Sequence, residues 1–307
     1  MSKVAFLFPG QGSQEVGMGA AFAAASPAAR AAYDQASAAV GFDVAEVSFD
    51  GPIERLSATE MTQPALTATS IACLAAVREA GFSADYVIGH SVGEYAALVA
   101  AEALSADAAM VLVRERGLAT AEAARETPGA MAAVIGLPDE KVEELCARIE
   151  GVWPANYNCP GQLVVSGTEA GVAALIEAAQ EAGARRALRL NVSGGFHSPL
   201  TAVAERRLRP ALEAATFHDP VTPFFSTVTT RVEEHGADLA EILVQQLTAP
   251  VRFTQAVEEL VRRGVTQFVE IGSGSVLSGL VRRIDRSVQA IAVSTPDGLQ
   301  KLEAARV

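Results

Sequence analysis

The chain predicts an α/β fold with a mostly parallel sheet covered on both faces, and three observations carry that expectation. Short apolar runs alternate with helix-length segments along most of the 307 residues, the pattern of strands joined by helical crossovers. Half of the residues are hydrophobic and only 6% are aromatic, so the core is expected to be built from Ala, Val, Leu and Ile. Between residues 126 and 192 the order changes to strand–helix–strand–strand–helix–strand, the ferredoxin-like arrangement. The expected organisation is one large unit, residues 1–125 with 193–307, carrying a small ferredoxin-like unit inserted at 126–192.

Taken in order, residues 4–8 (Val-Ala-Phe-Leu-Phe) read as a buried strand, followed by the loop Pro9-Gly10-Gln11-Gly12-Ser13-Gln14. That loop lacks the third glycine and the Gly-Lys-Ser/Thr of a nucleotide cradle. It is suited instead to lend a backbone N–H to a neighbouring site. Helices are expected over 20–40, with Pro27 starting a new one, and from Thr62-Gln63-Pro64 to about residue 80. Residues 86–88 read as a strand end and 92–101 as an Ala-rich helix. Ser105 reads as the N-cap of a helix over 106–126. That helix carries Arg114, Arg116 and Arg125, which spacing alone assigns to a solvated face.

In the small unit, strands are expected at 130–137, 153–157, 162–166 and 187–192, with helices at 139–149 and 168–182. The Gly-rich loop 193–200 leads into a helix over 203–214. A strand at 224–228, helices at 240–247 and 254–263, and strands at 267–271 and 290–293 complete the pattern. The loop Gly272-Ser273-Gly274-Ser275 misses dinucleotide spacing, because Leu277 stands where a glycine is needed.

Acidic residues outnumber basic ones, 36 to 24, giving a net charge of −12. That balance argues against nucleic acid as a partner. Cys73, Cys146 and Cys159 form no CxxC pair and no even framework. The first apolar run is too short for a secretory segment, and no stretch reads as a transmembrane helix. A reduced, cytoplasmic, membrane-independent protein is expected.

Between the strand ending at Ile88 and the helix after Val92 lies Gly89-His90-Ser91-Val92-Gly93, a Gly-x-Ser-x-Gly sequence in the strand–turn–helix setting of a nucleophile elbow. The turn exposes the Ser91 hydroxyl and aims a helix N-terminus at whatever it attacks. A serine hydroxyl needs a base, and the chain has four histidines. His90 is adjacent to Ser91, and neighbouring side chains diverge at an elbow. His235 sits in a polar turn and His218 precedes Asp219-Pro220. His197 follows two glycines at the expected junction of the units, where it can be presented into a cleft. No carboxylate stands out as a third member, so a carbonyl or amide is expected to orient the ring.

These motifs, with Phe8-Pro9-Gly10-Gln11-Gly12-Ser13-Gln14, Thr62-Gln63-Pro64-Ala65-Leu66, Arg116-Gly117, Gly129-Ala130-Met131, Phe196-His197-Ser198-Pro199-Leu200 and Glu270-Ile271-Gly272, occur in one order along nearly the whole chain. The sequence thereby resembles the malonyl-CoA:acyl carrier protein transacylases of bacterial fatty acid synthesis. It is also similar to the acyltransferase domains of polyketide synthases. The resemblance implies a hydrolase-like α/β core with an inserted ferredoxin-like domain. It implies that Ser91 attacks the malonyl thioester, that His197 takes its proton, and that the N–H groups of Gln11 and Val92 hold the oxyanion. Arg116 is implied to pair with the malonyl carboxylate, His90 to line the pocket and Gln246 to orient the histidine. Phe196 resembles the malonyl-selecting form of its loop, where bulk crowds an α-methyl branch. Arg186 is implied to contact coenzyme A or the carrier arm.

Malonyl-CoA is the implied donor and the phosphopantetheine thiol of acyl carrier protein the acceptor, with no permanent cofactor, no metal and a monomeric enzyme. Carrier proteins of this kind are acidic, and Arg185, Arg186, Arg189, Arg282 and Arg283 are the candidate basic surface. Thr201, where many relatives have methionine, and Ser273 and Ser275 depart from the common pattern. Two other readings fit: a stand-alone acyltransferase serving a polyketide synthase or malonate decarboxylase system, and a non-catalytic carrier-protein binding module.

Overall fold

The computed structural model describes residues 3–305; the outermost ends of the expected large unit, residues 1–2 and 306–307, lie outside it. Among the described residues ten strands form two sheets. They are β1 Lys3–Phe8, β2 Tyr86–Gly89, β3 Ala130–Ile135, β4 Val152–Cys159, β5 Gln162–Gly167, β6 Arg186–Arg189, β7 Phe224–Ser226, β8 Arg231–Glu233, β9 Val265–Ile271 and β10 Gln289–Val293. The first sheet has the order β10-β9-β1-β2-β7-β8. All its pairings are parallel except the edge pair β7–β8.

Strand β1 shows why this sheet is covered on both sides. Phe6 and Phe8 enter one hydrophobic cluster, while Ala5 and Leu7 enter another on the opposite face. Successive side chains point to opposite faces of a strand, so an unbroken apolar run is a strand buried twice.

The second sheet has the order β4-β5-β3-β6, and every pairing is antiparallel. Its chain order runs β3, helix Asp139–Arg148, β4, β5, helix Glu169–Glu181, β6. The faces of β3 divide by the same rule. Ala130, Ala132 and Val134 join the cluster shared with the two helices, and Met131 and Ala133 join a smaller cluster with Ala155, Val164 and Phe196.

Several boundaries differ from the sequence expectation. The long helix begins at Thr59, three residues before Thr62, and holds Pro64 inside it. Proline cannot donate to the Glu60 carbonyl four residues back. Arg114 Nη1 donates to that carbonyl instead at 3.0 Å, so the interior proline is tolerated. The segment expected as strand 187–192 pairs only over Arg186–Arg189. Residues 199–204 form a 3₁₀ turn ahead of the helix Glu205–Ala214. Helices Val44–Phe49, Ile53–Leu56, Val276–Ile284 and Pro296–Ala304 and strand β8 were not expected. The three cysteines are buried free thiols.

Candidate active site

The elbow forms because glycine stands where a side chain has no room. A Cβ on Gly93 would lie 2.1 Å from the Phe8 carbonyl oxygen, so β1, β2 and the helix Gly93–Ala100 meet only with glycine there. Ser91 takes a left-handed backbone, φ 54°, sparsely populated for a non-glycine residue. That conformation lifts its hydroxyl out of the turn into a cleft of about 1050 Å³, counting its open mouth. Ser91, Val92, Gln11, His90, Arg116, Phe196 and His197 all line this cleft.

His197 comes from the loop after β6 and is also left-handed, φ 57°. Its Nε2 lies 2.7 Å from Ser91 Oγ. Its Nδ1 lies 3.0 Å from the Gln246 carbonyl oxygen and 3.2 Å from that of Ala249. Both partners of Nδ1 are pure acceptors, so Nδ1 carries the proton and Nε2 is free to accept from the serine. No carboxylate contacts the ring. Burial, followed by the charge of Arg116 and the proximity of His90, pulls the imidazole pKa from 6.5 down to about 3. The ring is therefore neutral at rest, the state a base requires.

Arg116 corrects the solvated-face assignment. It is only 4% exposed, on the inner face of the helix Ala106–Glu126, while Arg125 of the same helix is exposed. The neighbouring Gly117 lets this helix approach the helix Thr59–Glu79: a Cβ there would lie 3.0 Å from Glu60 Cα. The guanidinium donates to Gln63 Oε1 at 2.8 Å, Gln246 Oε1 at 3.0 Å and Ser91 Oγ at 3.1 Å. All three acceptors are neutral, and its buried Nε–H has no partner. No ion pair engages Arg116 among the described residues. A buried cation with no carboxylate in contact is costly, and this one is aimed at the serine oxygen. Such an arrangement can bind an anion carried on the group that Ser91 attacks.

The N–H groups of Gln11 and Val92 take no part in a hydrogen bond among the described residues, which leaves both available to a developing oxyanion. His90 turns from Ser91, and its Nε2 meets Asn158 Oδ1 at 3.0 Å. Burial lowers its pKa. Phe196 forms part of an apolar wall with Met131, Val164, Leu190 and Val192, and Val276, Leu277 and Leu280 line the cleft from the helix Val276–Ile284. Gln246 lies fully buried behind the serine. Its backbone carbonyl holds His197, while its side chain serves Arg116, the Ser91 carbonyl and Glu94.

Arg186 does not line the cleft; it lies exposed at the start of the edge strand β6. Of the other basic candidates, Arg189 pairs with Glu169, Arg282 donates to the Ala290 carbonyl and Arg283 donates to Gln162. Two of the departures are accommodated by hydroxyl bonds: Thr201 donates to the Leu247 carbonyl and Ser273 to that of Ser13. Sequence reasoning missed Gln63, Glu94 and Asn158. Gln63 and Glu94 lie inside motifs read for other residues, and a buried polar group in an apolar helix is the signal that could have flagged them. No His/Cys/Asp/Glu cluster able to hold a metal occurs among the described residues, and no helix there is long and apolar enough to cross a membrane.

The chain is similar to known proteins over nearly its whole length. The family model described as "Acyl transferase domain" matches residues 5–303. The malonyl CoA-acyl carrier protein transacylase of Bacillus subtilis is 45% identical over 98% of this chain and 96% of its own. The acyl-carrier-protein S-malonyltransferase structure from Burkholderia pseudomallei superposes with a TM-score of 0.94 at 40% identity, covering 98% of this chain and 99% of that one. A malonyl-transacylase solved in complex with a type II polyketide synthase acyl-carrier protein superposes at 0.96, with 38% identity over 99% of this chain and 100% of that one. The chain belongs to the acyl transferase family, among its malonyl-CoA:acyl carrier protein transacylases.

Proposed function

We propose that the protein moves a malonyl group from malonyl-CoA to the phosphopantetheine thiol of an acyl carrier protein through a malonyl-Ser91 intermediate. The observation that carries this reading is Arg116, a buried cation without a countercharge in contact, 3.1 Å from the nucleophile oxygen. Ser91 Oγ attacks the thioester carbonyl as its proton passes to His197 Nε2. The carbonyl oxygen becomes an oxyanion held by the Gln11 and Val92 N–H groups. Collapse expels the coenzyme A sulfur, which takes the proton from His197. The carrier thiol then repeats the sequence in reverse, and Ser91 recovers its proton.

Arg116 has five N–H donors, of which three are engaged at rest. The buried Nε–H has no partner among the described residues, so the guanidinium is not saturated at rest. Charge coupling matters as much as binding. Next to burial, Arg116 is the largest influence suppressing the basicity of His197. A carboxylate on Arg116 offsets that influence, so the basicity of His197 rises when a malonyl group is in place, although its burial remains. Phe196 supplies bulk on the side where an α-methyl branch would lie.

The same reading takes the parallel sheet as a hydrolase-like core and residues 126–192 as a ferredoxin-like insertion, supported by the order β4-β5-β3-β6 and its connectivity. The likeness to a transacylase bound to a polyketide synthase carrier supports a second reading, that the acceptor is a polyketide carrier. Relative KM values for fatty-acid-type and polyketide-type carriers separate the two. A silent binding module is disfavoured by the 2.7 Å contact between Ser91 and His197.

Intact-mass measurement after mixing with malonyl-CoA tests the proposal. A single malonyl adduct is expected, absent in Ser91→Ala and discharged by holo carrier protein. An adduct that persists in Ser91→Ala would overturn it.

A further inference from the structure

Glu94 is the buried titratable group that the mechanism above leaves unused. It stands three residues after the nucleophile, in the first turn of the helix Gly93–Ala100, and is 0% exposed. Its Oε1 accepts from the Thr227 N–H and the Thr227 hydroxyl, both at 2.7 Å. Its Oε2 accepts from Gln246 Nε2 at 2.5 Å. The same Nε2 donates to the Ser91 carbonyl at 3.1 Å, so both amide hydrogens are held by acceptors. Only the amide oxygen is left to face Arg116 Nη2, at 3.0 Å.

The polarity of this chain is forced from its two ends. A guanidinium only donates, and both Glu94 oxygens are met by donors, Oε1 by the Thr227 N–H and hydroxyl and Oε2 by Gln246 Nε2, so Glu94 accepts. Gln246 between them can satisfy both in one orientation alone. If position 94 could donate, its hydrogens would meet those of Gln246 Nε2. Turning the amide over would then set an NH₂ against Arg116 Nη2, donor against donor. Among the residues lining the cleft Arg116 is the one formal charge. Glu94, one side chain behind it, sets a carboxyl acceptor beyond Gln246 without occupying the guanidinium edge that a ligand would use.

We propose that Glu94 is a positioning residue: it fixes the orientation of the Gln246 amide, aims Arg116 at the acyl carboxylate, and thereby sets selection of carboxylated over uncharged acyl groups. This rests on the malonyl-transfer reading given above. A direct Glu–Arg ion pair would compete with the substrate carboxylate, and the intervening amide prevents that.

The test is Glu94→Gln, which keeps shape but replaces an acceptor with a donor. KM for malonyl-CoA and acylation by equimolar malonyl-CoA and acetyl-CoA are measured beside the wild type. The malonyl KM is expected to rise about tenfold or more, the effect of one lost charge-assisted bond, with a smaller change in kcat. The malonyl-to-acetyl ratio falls by a similar factor. A ratio equal to wild type, whether both rates persist or both drop together, overturns the proposal, since lost folding lowers both equally. Should Glu94→Gln fail to fold, Glu94→Asp withdraws the carboxylate by one methylene and must lower the same ratio; an unchanged ratio in that variant also overturns it. A wild type that shows no malonyl preference would instead overturn the reading on which this rests.

Discussion

At the scale of single residues the site is governed by three buried groups whose charge states depend on one another. His197 is neutral because burial and then Arg116 depress its pKa to about 3. Glu94 is pushed up to about 7 by burial, against the pull of Thr227, Gln246 and Arg116. The consequences for stability have opposite signs. For His197 the unfolded state takes up a proton first as pH falls, so stability is lost from about pH 6.5 towards 3. For Glu94 the folded state holds its proton longer, so its contribution is full below about 4.5 and is lost as pH rises through 7. Comparing wild type with His197→Asn cancels the Glu94 contribution, and asparagine tolerates the left-handed backbone found there. Between pH 7 and 4.5 the wild type should lose about 2–3 kcal/mol relative to the variant in urea unfolding. Parallel losses would show that His197 is not held neutral by the fold.

Much of this was legible beforehand. Ser91 stands out by its glycines, and His197 by elimination among four histidines. Arg116 was legible only through family likeness, because its place on a helix reads as solvent. Its burial depends on Gln63 and Gln246, which lie 53 and 130 residues away, and local pattern carries no trace of them.

At the scale of elements, glycine and capping set where the site residues point. The helix Val276–Ile284 shows the limit of pattern reading. Its N-cap Ser275 makes no capping bond. The carboxylate of Glu270, at the end of β9, accepts the N–H groups of Leu277 at 3.0 Å and Ser278 at 2.7 Å instead. A cap delivered from the preceding strand across a Gly-Ser-Gly-Ser loop leaves no N-cap signature beside the helix, and the element was missed. Glu270→Gln should destabilise the protein by about 1–3 kcal/mol, seen as a lower urea midpoint. Because this helix lines the cleft, the malonyl-CoA KM should rise as well. An unchanged midpoint would mean that the helix is anchored by its apolar face alone. The long helix from Thr59 is the converse case: Pro64 reads as an opener, yet Arg114 supplies the donor that lets the helix begin earlier.

For the molecule as a whole, the alternation of strands and helices was enough to anticipate the parallel sheet, and the change of pattern after residue 126 anticipated the second sheet. Strand order across each sheet was not readable, because β1 pairs with β2 and β9 from opposite ends of the chain. The chain carries a net charge of −12, so an acidic carrier, the acceptor in the proposed function, would dock where basic side chains gather. Arg185 and Arg186 are exposed at β6, while Arg189, Arg282 and Arg283 are engaged within the fold. Replacing Arg185 and Arg186 by alanine should raise KM for carrier protein about three- to tenfold, the scale of exposed charge contacts. Formation of the serine adduct from malonyl-CoA should be unaffected. A carrier KM that does not move would place the docking surface elsewhere.

The most direct test of the account is competition between malonyl-CoA and acetyl-CoA for Ser91, read by intact mass in the wild type and in Arg116→Ala. A buried charge pair broken at one partner costs about 2–5 kcal/mol, so the wild type should favour malonyl by roughly thirtyfold or more. That preference should collapse in the variant while acetylation survives. Equal malonyl preference in the two proteins would contradict the claim that this one cation selects the acyl group.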